Sequence, residues 1–201
     1  MDFTILKDNL EKKGFKVSCF EASGEAVQYL AEALKGEEIG IGGSVTIQEM
    51  GLYEELIKNN QVYWPWKPLA DKNDQEMRAL AHRAKIYFSS LNAVAETGEL
   101  INIDGTCNRV SATLYGPKKV FFIVGANKIA PDYEQALYRA RNVAAPLNCQ
   151  RLKRKTPCAA NGDKCYDCNS PERICRGLTV LLTKPTGADY EVILINEKLG
   201  Y

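Results

Sequence analysis

The run KKVFFIVG at residues 118–125 constrains the fold more than any other feature of this 201-residue chain. It is apolar from Val120 to Gly125, with no alternation of polar and apolar side chains. Such a strand is buried on both faces, which is typical of the centre of a sheet that helices cover on both sides. The run therefore predicts a central strand in a layered α/β fold.

Strand-like and helix-like segments alternate along the rest of the chain. FKVSCF at 15–20 alternates like a strand, and the segment after Ser23 has helical periodicity. Residues 131–144 predict a second strong helix, while LTVLLTK and YEVILINEKLG predict two late strands. This rhythm predicts an α/β fold, a layered mixed or parallel sheet with flanking helices, in one domain over residues 1–201.

Composition excludes several classes of protein. Hydrophobic residues make up 45%, charged residues 25%, and the formal net charge is +1, so nothing in the overall charge indicates nucleic acid or an anionic membrane as a partner. The basic run RLKRK at 151–155 is interpreted as a solvated loop or helix end. No segment has the apolar length of a spanning helix or a signal peptide, so we expect a cytoplasmic location. Whether the chain forms a homo-oligomer stays open.

The first of three glycine-bearing turns is GIGGSVTIQEMG at residues 40–51. A glycine pair between a strand and a helix lets backbone N–H groups approach an anion, and nearby hydroxyls can donate to it. The predicted ligand-binding residues are Gly42, Gly43, Ser44 and Thr46. The alternative is a plain tight turn with a helix cap.

The second turn region is AETGELINIDGTCNR at residues 95–109. Glu96 and Asp104 are carboxylates beside glycines and are candidate catalytic residues, as nucleophile, general base or orienting group. The predicted ligand-binding residues here are Thr97, Gly98, Gly105, Thr106, Asn108 and Arg109. The alternative is a β-hairpin turn at TGE and an ordinary Asp-Gly turn.

The third turn, VGANKIAPD, places Asn127 and Lys128 directly after the apolar central strand. In open α/β sheets ligands bind where strands end, so the three polar turns together predict a pocket for a small anionic or acyl substrate. His82 is the only histidine, which rules out a histidine-rich metal site.

Four cysteines lie close together between residues 156 and 176, spaced C-x6-C-x2-C-x6-C: Cys158, Cys165, Cys168 and Cys175. A reducing compartment disfavours a disulfide. Four nearby thiols favour a shared metal centre, and the single C-x2-C pair with longer spacers favours a [4Fe-4S] cluster over zinc, the alternative that stays open. Unligated cysteines are the remaining alternative. Cys19, Cys107 and Cys149 are predicted not to be ligands.

The motifs GIGGSVTIQEMGL, AVAETGELINIDGTCNRVSATLYGPKKVFFIVGANKI and TPC…CYDCNSPERIC together resemble the lactate-utilisation (LUD) domain family, from about residue 36 onwards. The resemblance implies a bacterial protein with a fold similar to ribose-5-phosphate isomerase, glucosamine-6-phosphate deaminase and CoA transferases. It also implies work alongside iron–sulfur proteins in the oxidation of lactate. The four-cysteine segment looks typical of a stand-alone subgroup.

Three functions follow as hypotheses. The first is an iron–sulfur accessory or electron-transfer component of 2-hydroxy-acid utilisation, with other iron–sulfur or redox proteins as partners. The second is an isomerase- or CoA-transferase-like enzyme that uses Glu96 and has a structural metal site. The third is a zinc-stabilised binding module without chemistry.

Overall fold

A parallel sheet of six strands forms the centre of the computed structural model, which describes all 201 residues. Along the chain the strands are β1 (Lys16–Phe20), β2 (Glu38–Ile41), β3 (Gln61–Tyr63), β4 (Ile86–Ser90), β5 (Ala93–Ala95), β6 (Leu100–Asp104), β7 (Lys119–Gly125), β8 (Ile129–Ala130), β9 (Gly177–Leu181) and β10 (Asp189–Ile195). The six-stranded sheet has the order β1-β10-β7-β4-β2-β3, and every pairing in it is parallel.

Nine α-helices accompany the strands. They are α1 (Thr4–Lys12), α2 (Ser23–Ala33), α3 (Val45–Glu49), α4 (Leu52–Leu56), α5 (Asp74–Arg83), α6 (Asn108–Leu114), α7 (Tyr133–Arg139), α8 (Ala145–Arg151) and α9 (Pro157–Asn161). A 3-10 turn at Ala126–Lys128 and a π-helical segment at Ala140–Ala144 complete the helical structure. No helix of the chain is both long and apolar enough to cross a membrane.

β7 confirms the prediction of a central strand buried on both faces. It lies between β10 and β4 in the sheet. Phe121 and Ile123 pack into one apolar cluster together with side chains of α2, α3 and α4. Phe122 and Val124 point to the opposite face and pack into a second cluster, which includes residues of α1. Each of these side chains is almost fully buried, which stabilises the fold by roughly 1.5–3 kcal/mol per side chain. The sequence-based α/β class is therefore confirmed.

A smaller sheet with the order β8-β5-β6-β9 covers part of the second face. Its β5 and β6 form an antiparallel hairpin, whereas β5 and β8 are parallel. Leu100 and Leu181 of this sheet pack in the same cluster as Val124. The second sheet thereby takes the place that a helix has in a regular α/β layer.

The helix predicted over residues 131–144 is interrupted in the structure. Asp132 caps α7, since its Oδ1 accepts a hydrogen bond from Gln135 N at 2.8 Å. After Arg139 the chain widens into the π-helical segment and then continues as α8. Pro146 at the start of α8 accounts for this, because proline has no N–H to donate and its ring clashes with the carbonyl four residues earlier.

Candidate functional site

The carboxyl ends of three neighbouring parallel strands meet at one edge of the large sheet. β2 is followed by the turn 42–44, β4 ends at Ser90, and β7 leads into the turn Ala126–Lys128. Residues that follow adjacent parallel strands lie side by side. Lys128 shows this directly, because its Nζ donates to Thr46 Oγ1 at 2.7 Å and to Ser90 Oγ at 2.8 Å.

Lys128 is a buried cation without a carboxylate partner. Only 3% of the residue is exposed, and it forms no ion pair. Burial, and to a smaller extent the nearby guanidinium groups of Arg139 and Arg109, lower the pKa of its amine to about 7, while Glu49 acts in the opposite direction. An amine with this pKa exists in both protonation states near neutral pH.

The glycine pair after β2 allows two large side chains to approach the backbone. A Cβ on Gly42 would lie 2.6 Å from Arg109 Cγ, and a Cβ on Gly43 would lie 3.1 Å from Trp66 Nε1. Any side chain at Gly42 would therefore displace Arg109. Ser44 caps the short helix α3, because its Oγ accepts from Ile47 N at 3.2 Å.

Arg109 is held in a fixed orientation by protein oxygens. Its Nη2 donates to Ile103 O at 2.8 Å, and its Nη1 donates to Asn102 Oδ1 at 3.0 Å. Its Nε lies 3.6 Å from Asp104 Oδ2. The guanidinium is mostly buried, so its position beside the glycine turn is set before any ligand arrives.

Asp104 organises the second turn through its carboxylate. Oδ1 accepts from Thr106 N at 3.1 Å, while Oδ2 accepts from Arg109 N at 3.0 Å and from Val110 N at 3.3 Å. These bonds satisfy amides at the start of α6, where Cys107 has a positive φ of 64°. Asp104 therefore shapes the turn, and its oxygens are committed to backbone donors.

Two adjoining cavities, of about 420 Å³ and 110 Å³, open beside these turns. Gly43, Asp104, Gly105 and Arg109 line both of them. The wider cavity is rich in arginine: its lining includes Arg78, Arg109, Arg154, Arg173 and Arg176 against two carboxylates, Asp104 and Glu172. The narrower cavity contains Ser44, Thr46, Ser90 and Lys128. The combined space has an excess of positive charge.

The arginines of the wider cavity differ in how they are engaged. Arg173 donates to Cys168 O at 2.8 Å and to Cys175 O at 2.9 Å, and Arg176 donates to Pro171 O at 2.7 Å. These two guanidinium groups hold the loop after α9. The Arg154 side chain makes no hydrogen bond or ion pair, so its donors are available to a ligand.

An aromatic and amide wall closes the side of the narrower cavity. Arg151 Nε donates to Tyr201 Oη at 2.6 Å, and Tyr201 Oη donates to Asn148 Oδ1 at 2.8 Å. The guanidinium of Arg151 lies 5.0 Å from the ring centre of Trp66, within cation–π range. Burial raises the pKa of the Tyr201 phenol, so this hydroxyl stays protonated at neutral pH.

The predicted residues divide into those that line the cavities and those that do not. The first group comprises Gly43, Ser44, Thr46, Asp104, Gly105, Thr106, Asn108, Arg109 and Lys128. Gly42 packs behind Arg109. Asn127 binds the segment after β10, because its Nδ2 donates to Gly200 O at 3.2 Å and its Oδ1 accepts from Leu199 N at 3.1 Å.

Glu96, Thr97 and Gly98 lie away from both cavities. They form the turn of the β5–β6 hairpin, where Gly98 N donates to Ala95 O at 2.8 Å. The hairpin alternative is therefore the local structure of TGE. The physical reason is the antiparallel pairing of β5 and β6. The turn that connects them lies away from the cavities and packs against α1, where Asn9 Nδ2 donates to Glu96 O.

The four clustered cysteines are spread over α9 and the irregular segment that follows it. Cys165 and Cys175 line a separate cavity of about 310 Å³, and Cys158 Sγ lies 3.4 Å from Thr156 Oγ1. No three Cys, His, Asp or Glu side chains in the chain are grouped so that they could hold a metal ion. In this arrangement the four thiols do not fit a tetrahedral zinc site or a cluster.

Cys149 belongs to the neighbourhood of these cysteines, although spacing alone placed it outside. It is buried on α8, where the thiols of Cys158 and Cys175 are its neighbours. Burial raises the pKa of the Cys149 thiol. The packing of α8 against α9 brings this fifth thiol in.

Several residues of the site escaped sequence reasoning. Ser90 had a usable signal, because it ends the otherwise apolar strand β4 with a hydroxyl. Trp66 and Arg154 had none, since their places depend on how the loop after β3 and the end of α8 fold over the sheet edge. Tyr201 reaches the site through the segment that follows β10.

Comparison with known proteins finds one matching family model and several solved structures of similar fold. Residues 4–195 match the family model of the LUD domain. The fold is similar to that of a DUF162 family protein from Deinococcus radiodurans, with a TM-score of 0.56 and 17% identity over 97% of this chain and 99% of that one. Two weaker likenesses are eIF2B beta from Chaetomium thermophilum (TM-score 0.34, 17% identity, 66% of this chain and 44% of that one) and eIF2B delta from the same organism (TM-score 0.36, 16% identity, 67% and 54%). No curated protein matches the chain in sequence. The first likeness supports the α/β fold described above.

Proposed function

The chain belongs to the LUD domain family, and from this premise we propose that it binds a small organic anion in the arginine-lined cavity at the sheet edge. Family membership supports a protein related to lactate utilisation. The proposal adds the class of ligand, a carboxylate or phosphate compound, and the place where it binds.

The observation that carries the proposal is the excess of buried or cavity-facing cations. Five arginines line the wider cavity against two carboxylates, and one of those carboxylates, Asp104, is bonded to backbone amides. Arg78 pairs with Asp74 and Arg173 with Asp167, outside the lining, whereas Arg154 and Arg176 form no ion pair. Lys128 adds an amine without a carboxylate partner in the narrower space. Buried cations that lack a protein anion are costly, and a bound anion would offset that cost. Arginine also matches carboxylate and phosphate groups with two parallel hydrogen bonds.

The dimensions favour a ligand of modest size. A cavity of about 420 Å³ is at the lower end of the range, roughly 300–1,000 Å³, that small-molecule sites occupy. The adjoining 110 Å³ space could take only a few heavy atoms of such a ligand. A short carboxylic acid fits this division.

Titration calorimetry with lactate, pyruvate and inorganic phosphate tests the proposal. Arg154→Gln removes a cavity cation whose side chain makes no hydrogen bond or ion pair with the protein, so folding should be unaffected. Losing one charge-assisted hydrogen bond at a partly solvated site should weaken binding by about tenfold, near 1.4 kcal/mol.

Arg83→Gln is the matched control, because Arg83 is exposed at the end of α5 and lies outside the cavities. It makes the same change in charge and should leave the affinity within about twofold of the wild type. If Arg154→Gln and Arg83→Gln weakened binding equally, the effect would come from the net charge of the protein and not from the cavity. The absence of binding for all three anions would refute the proposed function.

The enzyme hypothesis based on Glu96 gains no support from its position. That side chain lies at the β5–β6 hairpin turn, away from the cavities. An isomerase- or transferase-like reaction inside these two cavities would need a different residue.

The iron–sulfur centre remains a second proposal, with other redox proteins as partners. Four thiols within eighteen positions support it, as does the shared cavity of Cys165 and Cys175. Because the thiols do not converge, loading a [4Fe-4S] cluster or zinc would require the segment after α9 to rearrange. Anaerobic purification followed by metal analysis tests this: about four irons per chain support the cluster. One zinc without iron would favour the zinc-stabilised alternative, and neither metal would refute both.

A further inference from the structure

We infer that Lys128 is a catalytic residue that binds an oxo acid covalently, through an imine between its Nζ and the carbonyl carbon. The inference rests on the proposed function, since the same cavities must hold the acid group. It goes further by assigning chemistry to one atom and by narrowing the ligand to a small carboxylate that carries a ketone or aldehyde.

The surroundings of Nζ are those of an oriented nucleophile. Only 3% of Lys128 is exposed, the residue lines the 110 Å³ cavity, and its amine has no carboxylate within ion-pair distance. Its two hydrogen-bond partners are both hydroxyls, Thr46 at 2.7 Å and Ser90 at 2.8 Å. A lysine whose role was electrostatic pairing within the protein would face a carboxylate instead.

The directions of these hydrogen bonds set the direction of the amine lone pair. Thr46 Oγ1 donates its own hydrogen to Leu199 O at 3.3 Å, so it accepts from Nζ. Ser90 Oγ is within reach of Leu91 O at 3.5 Å and Thr46 Oγ1 at 3.2 Å, so it too can accept from Nζ. A neutral amine has two hydrogens, and both are then used. The lone pair is left as the remaining tetrahedral direction, turned away from both hydroxyls.

The charged groups around Lys128 keep a useful fraction of the amine neutral. Arg139 and Arg109 both disfavour its protonated form, and Glu49 is the acidic group that acts in the opposite direction. Burial contributes most, and the pKa is about 7. Lysines that form imines in enzymes are activated in this way, by desolvation and neighbouring cations.

The proposed step is balanced without an oxidant or reductant. The neutral Nζ adds to the carbonyl carbon, the C–O π bond breaks, and a proton moves from nitrogen to oxygen to give a carbinolamine. Loss of the hydroxyl group with a proton releases one water and leaves the C=N bond. Hydrolysis reverses the sequence and restores the free lysine.

The acid group of the ligand has an obvious partner. Arg109 lines both cavities and is fixed by protein oxygens. An oxo group beside Lys128 and a carboxylate beside Arg109 would therefore belong to one short molecule, as in a 2-oxo acid. An aldehyde without a carboxylate lacks the second contact.

Borohydride trapping tests the inference, because it reduces an imine to a stable secondary amine. The wild-type protein is incubated with pyruvate or glyoxylate and sodium borohydride, and the modified peptide is identified by mass spectrometry. We expect the adduct on the peptide that contains Lys128, with at least about tenfold less labelling from propanal, which has no carboxylate. The yield should rise with pH and level off above the pKa of about 7.

Two variants separate covalent binding from charge. Lys128→Arg keeps the cation but cannot form the imine, so the adduct should disappear. Lys35→Arg, at an exposed lysine, should label like the wild type. Absence of a Lys128 adduct with both oxo acids, or labelling spread over surface lysines, overturns the inference. If phosphate still binds in that case, the proposed function stands; if no anion binds, both fail.

Discussion

Replacing Lys128 by methionine should change how the stability of the protein depends on pH. Methionine keeps most of the volume of the side chain and removes the amine. The wild type has to desolvate this amine on folding, because only 3% of the residue is exposed. The variant has no such requirement.

The size of the effect follows from the difference between two pKa values. In the unfolded chain the amine has its ordinary pKa of 10.5, and in the folded protein the pKa is about 7. Between these values the unfolded state holds a proton that the folded state has released. The free energy of unfolding of the wild type therefore rises with pH, at about 1.4 kcal/mol per unit. Over the whole interval the change is at most roughly 5 kcal/mol. Below the folded pKa both states are protonated, and the contribution is constant and most unfavourable.

Urea unfolding of wild type and variant at several pH values measures this contribution. The difference between the two proteins removes the groups that they share, including the tyrosines and cysteines that titrate at high pH. We expect the methionine variant to be the more stable protein near pH 6. From about pH 7 to pH 9 its advantage should shrink by about 2 to 3 kcal/mol.

Lys35→Met provides the matched control, because it makes the same substitution at an exposed lysine outside both cavities. A constant difference for the Lys128 variant between about pH 6 and pH 9 would refute the reasoning, since the amine would then titrate alike in both states. A variant less stable than wild type at about pH 6 would show that the two hydroxyl contacts outweigh desolvation.

Three further predictions concern the framework of the site. Gly40→Ala should lower the free energy of unfolding by about 1–3 kcal/mol or more in a urea titration, because a Cβ there would lie 2.0 Å from Ala81 O. The control is Gly24→Ala, where a Cβ would have nothing within 4 Å, and it should change the free energy of unfolding little. Asp104→Ala should lower the free energy of unfolding by about 1–2 kcal/mol in the same measurement, because amides at the start of α6 lose their acceptor. A variant that lost lactate or phosphate binding but kept its stability would contradict this role. Glu191 is buried, which raises its pKa, but hydrogen bonds outweigh burial and lower the pKa below the unfolded value of 4.5. Its contribution to the free energy of unfolding is therefore complete above pH 4.5 and is lost as the pH falls through the lower pKa of the folded protein. Glu191→Gln should therefore cost about 2 kcal/mol at neutral pH and less in acid, and a pH-independent cost would contradict it.

The large sheet could be predicted from the sequence because its strands are recognisable one at a time. β7 is apolar on both faces, and each face packs in a different cluster. The turns at Gly42 and Lys128 could also be placed at strand ends. Since β2, β4 and β7 are neighbours, that placement was enough to bring these two turns together.

The other wall of the cavity could not be predicted, because no regular element builds it. The loop after α9 is shaped by arginine side chains that donate to its own carbonyls, as Arg173 does to Cys168 O and Cys175 O. Such contacts leave no periodicity in the sequence. The position of the hairpin turn at Glu96, away from the cavities, could not be predicted for a related reason. Its residues resemble those of the other turns, and only the antiparallel pairing of β5 with β6 distinguishes them.

The burial of Lys128 was also invisible in the sequence, and it is the feature most in need of a functional cause. A lysine in a polar turn after a strand is usually solvated, yet this one is buried beneath the segment that follows β10. The side-chain amide of the preceding residue, Asn127, holds that segment by hydrogen bonds to Leu199 N and Gly200 O. A hydrophobic residue would fill the same space without the desolvation penalty. Sequences depart from the stable choice chiefly at functional sites. The cost in stability and the reactivity of the amine thus have one origin, which is the removal of water and of any carboxylate from around Nζ. A ligand that supplies the missing anion should therefore stabilise the protein most strongly at low pH, where the amine is charged.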